Sequence, residues 1–301
     1  MRSICNVIAL LGTLLLGALP AAAQDKVPVV ASFSILADLV RQVGGERVTV
    51  TTLVGPDADA HVYQPTPGDS RRIAEARLVV MNGLAFEGWM TRLVRSSGTK
   101  APVVEAAKGV RAIEAKGHGH GHGHSHDVDP HAWHDVANVK IYVRNIRDAL
   151  ASADPAGKEE YAQNAQTYLA RLDALDGEIR ATVERIPASR RRVITSHDSF
   201  AYFARAYGLR FVAPRGVSTD AEASAQDVAR IIRQIRQEKI EAVFLENVAD
   251  PRLMERIAKE SGARIGGRLY SDALSGPDGP APTYIDLMRH NIRAFGEALS
   301  S

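Results

Sequence analysis

The chain has 301 residues, 45% of them hydrophobic, with 37 Lys and Arg against 35 Asp and Glu for a formal charge of +2 at neutral pH. A balance so near zero argues against nucleic acid or an anionic membrane surface as a partner. The single cysteine, Cys5, excludes a disulfide framework.

The chain opens "MRSICNVIALLGTLLLGALPAAAQ": one cation at Arg2, an uncharged apolar run from Val7 to Leu19, then Ala21 and Ala23 flanking Ala22. That order of regions predicts a secretory signal cleaved after Ala23 and export to the periplasm. Thirteen apolar residues fall short of the roughly 20 that span a bilayer. Cys5 precedes the apolar run, so it is not placed for lipidation after cleavage, and the mature chain has no thiolate for a metal. About 278 residues remain with a formal charge of +1, enough for two compact domains of roughly 150 residues each.

From Val27 to Glu105 short apolar runs alternate with amphipathic segments: "VPVVAS", "ILADLVRQV", "VTVTTLV", "RRIAEA", "LVVMN", "FEGWMTRLV", "PVVEA". Strands alternating with helices predict parallel pairing and an α/β lobe, residues 24–154. The pattern returns in "RRVITS", "SFAYFARAY", "RFVA", "AQDVARIIRQIRQE", "EAVFLE" and "PRLMERIAKES", with a last helix near Thr283 to Leu299, predicting a second α/β lobe over 188–301. Between them Tyr161, Ala165, Tyr168, Leu172, Leu175, Ile179, Val183 and Ile186 recur in steps of three and four, one stripe of a long helix over 155–187. Asp154 reads as its N-cap, Pro155 suits its first turn and Pro187 ends it. At 1.5 Å per residue it reaches roughly 48 Å, a stiff spine joining both lobes.

Four segments set a metal-ligand residue in a loop or at a strand end, where ligands gather in open α/β sheets. They are "VGPDADAHVYQPTPGD" with His61, "DVDPHAWHD" with His131, "VITSHDSF" with His197, and "RLYSDALS" with Asp272. In the second, Asp129 and Pro130 read as a helix N-cap and first position. A lone histidine at a strand end is usually a hydrogen-bonded structural residue; the four together say more. Three imidazoles and one carboxylate fill a tetrahedral Zn²⁺ shell and leave no position for a reactive water. Such a set holds a metal rather than catalysing with it.

In these segments the chain resembles the zinc and manganese solute-binding proteins of the metal ABC importers, the cluster A-I type. "GPDADAHVYQPTPGD" is similar to the family's first-ligand loop, "DPHAW" to its second, "TSHDSFAYFARAYGL" to its third and "LYSDALS" to its fourth. The resemblance implies two α/β lobes with parallel sheets joined by one long rigid helix, the metal in the interlobe cleft, and His61, His131, His197 and Asp272 as ligands. It also implies a monomer that serves a membrane permease and has no enzyme activity. In manganese members the third ligand is typically a carboxylate; here it is His197, and imidazole suits Zn²⁺. Zinc is the expected cargo, with manganese or iron as the alternative. Asp198, Glu222 and Glu246 are candidates to balance the bound charge by orienting the imidazoles.

Two positions depart from the family pattern. Ala60 stands where Pro often precedes the first histidine, which loosens that turn. His134 replaces an apolar residue three places after His131, so on a helix it shares a face with that ligand and is a candidate partner or alternative ligand.

Residues 116–128 carry "HGHGHGHSH", with His118, His120, His122, His124 and His126 alternating with Gly or Ser. Such a run binds Zn²⁺ weakly and exchangeably, because any few imidazoles can converge. It reads as an auxiliary capture or transfer tether, while His131 is the site histidine. A zinc hydrolase also uses three histidines but needs an open coordination position and a general base. "SHDS" invites a Ser, His and Asp triad, although triads join separated positions. A periplasmic zinc metallochaperone is a further reading, either as this protein's role or as its donor partner.

Overall fold

The computed structural model describes residues 25–115 and 128–300. The expected leader and the histidines from His118 to His126 lie outside the described residues. Val27–Phe33 (β1) and Val48–Val54 (β2), rich in β-branched residues, pair in parallel, with helix Ser34–Gly44 (α1) making the return crossing. Helix Pro67–Glu75 (α2) starts at a capping box in which Thr66 Oγ1 accepts from the Asp69 amide and Asp69 accepts from the Thr66 amide. Strand Leu78–Met81 (β3), helix Met90–Ser97 (α3) and strand Val103–Glu105 (β4) complete a parallel sheet of order β2-β1-β3-β4.

A short antiparallel pair, Ile113–Glu114 (β5) and Val128–Asp129 (β6), brackets residues 116–127. After a 3₁₀ turn at Ala132–His134 comes helix Val136–Ala153 (α4), then the long helix Lys158–Arg185 (α5). The second sheet alternates Arg192–Ile194 (β7), Ala201–Tyr207 (α6), Arg210–Val212 (β8), Ala225–Glu238 (α7), Ala242–Glu246 (β9), Arg252–Ser261 (α8) and Arg264–Leu269 (β10), closing with Tyr284–Leu299 (α9). Its parallel order is β10-β9-β7-β8. Counted from its own first strand, each sheet has the order 2-1-3-4, so each lobe has one place where the strand order reverses. The carboxyl ends of the strands at that place are where such sheets hold ligands.

The periodic stripe of the long helix is buried throughout, from Tyr161 to Ile186. It packs on α1 and α4 of the first lobe and on α6 and α9 of the second, and its apolar residues join one core with both sheets. The helix starts later than its sequence suggests. Residues Pro155–Gly157 form a 3₁₀ turn, and α5 proper has 28 residues, about 42 Å of rise. The reason is that the Asp154 carboxylate is engaged elsewhere, 2.7 Å from Arg47 Nη2 and 2.7 Å from the Tyr161 hydroxyl. Gly157 fits because any Cβ there would collide with Arg47, Asp154 and Tyr161. Among the described residues no helix is long and apolar enough to cross a membrane.

Candidate metal centre

The first-ligand loop leaves β2 and enters α2. Within it the Asp59 carboxylate accepts from the His61 amide at 2.9 Å, and Trp89 Nε1 donates to the Ala60 carbonyl at 2.8 Å. Ala60 is fully buried. The loosening expected from the missing proline is therefore countered by an indole clamp on the same residue.

His131 follows β6. Asp129 is not the helix N-cap that its position suggests: it ends a strand, α4 begins after Asp135, and the Asp135 carboxylate caps that helix by accepting from the Ala137 amide at 2.9 Å. Asp129 instead accepts from the His131 amide at 2.9 Å and lies 2.7 Å from His131 Nδ1. Held from that side, the ring presents Nε2 inward.

His197 follows β7, and its Nδ1 lies 2.7 Å from Glu246 Oε2 at the end of β9. The other Glu246 oxygen accepts from the amides of Ser196 at 2.6 Å and His197 at 3.1 Å. These two strands flank the order reversal of the second sheet. Among the three carboxylates proposed to balance the site, Glu246 pairs with a site imidazole. Glu222 is exposed and paired with Arg215, and Asp198 donates its amide to Gly216 at 3.0 Å. With both nitrogens of His197 facing carboxylates, the "SHDS" segment forms no triad. Asp272, in the loop after β10, supplies the fourth side chain.

One donor atom from each of His61, His131, His197 and Asp272 lies within 4.8 Å of every other. Asp272 Oδ2 is 3.1 Å from His197 Nε2 and 3.4 Å from His61 Nε2, while Oδ1 is 3.6 Å from His131 Nε2. The Nε2 atoms of His61 and His131 are 3.2 Å apart. A tetrahedron with Zn–N bonds of about 2.05 Å has edges of about 3.3 Å, so these separations match a four-coordinate shell. His131, His197 and Asp272 are fully buried. Neither Asp272 oxygen makes a hydrogen bond among the described residues, nor does His197 Nε2. A buried carboxylate facing three imidazoles in this way is suited to a bound cation.

The electrostatics agree. Burial opposes charge on Asp272, but His197 and His131 hold its pKa well below the usual carboxylate range. Burial also opposes charge on His197, but Glu246 and Asp272 together hold its pKa well above the usual imidazole value. His61 is pushed down by burial, which outweighs the opposing pull of Asp272. Aromatic rings exclude water: Phe86 meets His61 edge-on at 4.7 Å and Trp133 at 4.9 Å. Phe86 is presented by a turn in which Gly83, Leu84 and Ala85 have φ of 83°, 53° and 59°. Glu87 braces that turn, one oxygen accepting from the Asn82 amide at 2.7 Å and the Ser32 hydroxyl at 2.5 Å, and burial pushes its pKa up to about 7. Sequence reasoning overlooked this brace. A groove of about 900 Å³ opens on the His61 side, between Tyr63, Trp89 and Arg92 of one lobe and Ser218 and Asp220 of the other.

His134 does not join the set. The 3₁₀ turn places its ring against Phe200, centroids 4.4 Å apart, and burial pushes its pKa down to about 3, so it is a neutral core histidine. Glu246→Gln should weaken metal affinity about 10- to 100-fold at pH 8, since the carboxylate that orients and polarises His197 is lost. Isothermal titration against the parent protein checks this.

The family described as "ZnuA: Zinc-uptake complex component A periplasmic" matches residues 29–298. The manganese-binding lipoprotein MntA of Halalkalibacterium halodurans is 35% identical, the match covering 90% of this chain and 88% of that one. The iron-binding protein YfeA of Yersinia pestis is 34% identical, with 92% and 89% covered. The structure of the periplasmic zinc binding protein TroA from Treponema pallidum superposes with a TM-score of 0.85 at 31% identity, covering 92% of this chain and all of that one. The chain belongs to the ZnuA family, the metal-binding solute-binding proteins of ABC transporters, which serve transport and are not enzymes.

Proposed function

We propose that this protein captures Zn²⁺ in the periplasm through His61, His131, His197 and Asp272 and delivers it to the membrane permease of an ABC importer. The observation that carries zinc is the third position. His197 makes the donor set three imidazoles and one carboxylate, a set that favours tetrahedral Zn²⁺ over Mn²⁺, which prefers oxygen donors in an octahedral shell. Asp272, Asp129 and Glu246 place three carboxylates around the two charges of such an ion.

On this reading residues 1–23 are a cleaved leader, residues 24–154 and 188–301 are the two lobes, and 155–187 is the linker. The mature protein acts as a monomer. His118, His120, His122, His124 and His126 form a weaker auxiliary site that gathers zinc or receives it from a metallochaperone. Manganese or iron is the second reading, favoured by the names of MntA and YfeA, both slightly closer in identity than TroA.

Competition against a chromogenic chelator, with Zn²⁺ and Mn²⁺ in parallel on residues 24–301, tests both. One tight zinc, bound at least about 100-fold more strongly than manganese, together with weaker zinc that survives His197→Ala, is the expected result. Manganese bound as tightly as zinc would transfer the assignment to manganese.

A further inference from the structure

The loop that carries His61 reaches across the cleft at two points: one contact lands on the segment beside His197, the other on the loop that carries Asp272 and on Asn247 next to it. Asp59 divides its carboxylate between the lobes. Oδ1 accepts from the His61 amide at 2.9 Å, and Oδ2 accepts from the Thr219 hydroxyl at 2.6 Å. Thr219 belongs to the segment that lies beside His197, joined to it by a parallel bridge between His197 and Arg215 and by the Asp198 amide donating to Gly216.

Asp57 makes the second connection. Its amide donates to the Leu274 carbonyl at 2.9 Å, two residues beyond Asp272, and its Oδ1 accepts from Asn247 Nδ2 at 3.0 Å. Asn247 also reaches the Ala273 carbonyl at 3.2 Å, next to Asp272. Asp57 has φ 53°, a left-handed conformation that a non-glycine residue holds only where its surroundings compensate for it. The compensating contacts here are those across the cleft.

We propose that Asp57 and Asp59 form an interlobe clasp with Asn247 and Thr219, and that the clasp sets how long the metal stays bound. The inference rests on the metal-capture reading above. Thr219 and Asn247 are positioning residues: neither is among the converging donors, and both act through the backbone of the loops that hold them. With His131, His197 and Asp272 fully buried, parting of the lobes is the motion that frees the ion on this proposal, and parting breaks both contacts. Contacts made only in the closed state slow release and leave coordination unchanged.

The test uses Thr219→Val, Asn247→Ala and their combination in the mature protein. Zinc release is followed after mixing with excess chelator, and coordination is followed by the visible absorption of the Co²⁺-loaded protein. Expected are about tenfold faster release in each single variant, since a hydrogen bond to a charged group is lost, and faster still in the double. The Co²⁺ spectrum and the stoichiometry should match the parent, and Thr219→Ser should restore slow release. Unchanged release rates in the double variant would overturn the clasp, as would an altered Co²⁺ spectrum, which would place these residues in coordination itself. A parent protein whose Co²⁺ spectrum survives His61→Ala would instead sink the metal-site reading.

Discussion

Replacing His197 by alanine is expected to abolish the thermal stabilisation that zinc gives the parent protein. At a thousandfold excess of free zinc over Kd, linkage stabilises the folded chain by about 4.1 kcal/mol. At roughly 2–4 °C per kcal/mol for a protein of this size, the parent Tm should rise by about 8–16 °C. On the proposed site the variant loses one of four ligands, and the remaining three come from loops that no longer meet across a filled shell. It also leaves Glu246 buried without the imidazole 2.7 Å away. An uncompensated buried charge costs about 3–5 kcal/mol, so the metal-free variant should itself melt earlier. The double variant His197→Ala with Glu246→Gln separates the two effects: it should regain much of the metal-free stability and none of the response to zinc. Differential scanning calorimetry with and without zinc reads both quantities. A zinc response that persists in His197→Ala would place the tight site elsewhere.

Zinc affinity should fall steeply as the pH drops from about 8 to 5, by about tenfold per unit wherever binding must expel one proton. The free-imidazole value near 6.5 would put the onset there. The structure moves it upward. Glu246 and Asp272 raise the His197 pKa well above that value, so without metal the ring keeps its proton at neutral pH and zinc must displace it. The sign follows directly: below the raised pKa each bound zinc releases a proton and affinity climbs with pH, and above it the climb stops. His61 is shifted the other way by burial, so it is already neutral at pH 7 and adds to the slope only in more acid solution. Chelator competition across the pH range, with proton release into weak buffer measured alongside, checks the slope. In Glu246→Gln the break should shift to lower pH, because the carboxylate that raises His197 is gone. An affinity flat from pH 8 to pH 5 would contradict the protonated His197.

The sequence determined more of this protein than its modest composition suggests, and it did so where the signal is local. The buried stripe of α5 is legible from Tyr161 to Ile186 because helical periodicity brings every third or fourth residue to one face, whatever that face later meets. The alternation of strands and helices in both lobes is legible for the same reason. The four converging side chains, His61, His131, His197 and Asp272, are legible because each stands in a loop or at a strand end, inside a short motif of distinctive order.

What the sequence left open depends on partners distant in the chain. Asp129 has the spacing of a helix cap, yet an oxygen two residues ahead serves an amide or an imidazole equally well, and β6 decides for His131. His134 has the spacing of a ligand on a shared helical face, but the chain there is a 3₁₀ turn and the ring packs against Phe200 at a tilt instead. Asp198, Glu222 and Glu246 are equal candidates on paper. Only the pairing of β7 with β9 brings Glu246 to His197. The clasp is further still from sequence, since Asp57 and Asn247 are 190 residues apart. Backbone hydrogen bonding and amphipathic burial are settled within a few residues of chain, so sequence determines the elements and the ligand motifs. Which carboxylate orients which imidazole, and what holds the lobes shut, are settled by contacts that exist only once two sheets and a shared core have formed, and so the tertiary structure decides them.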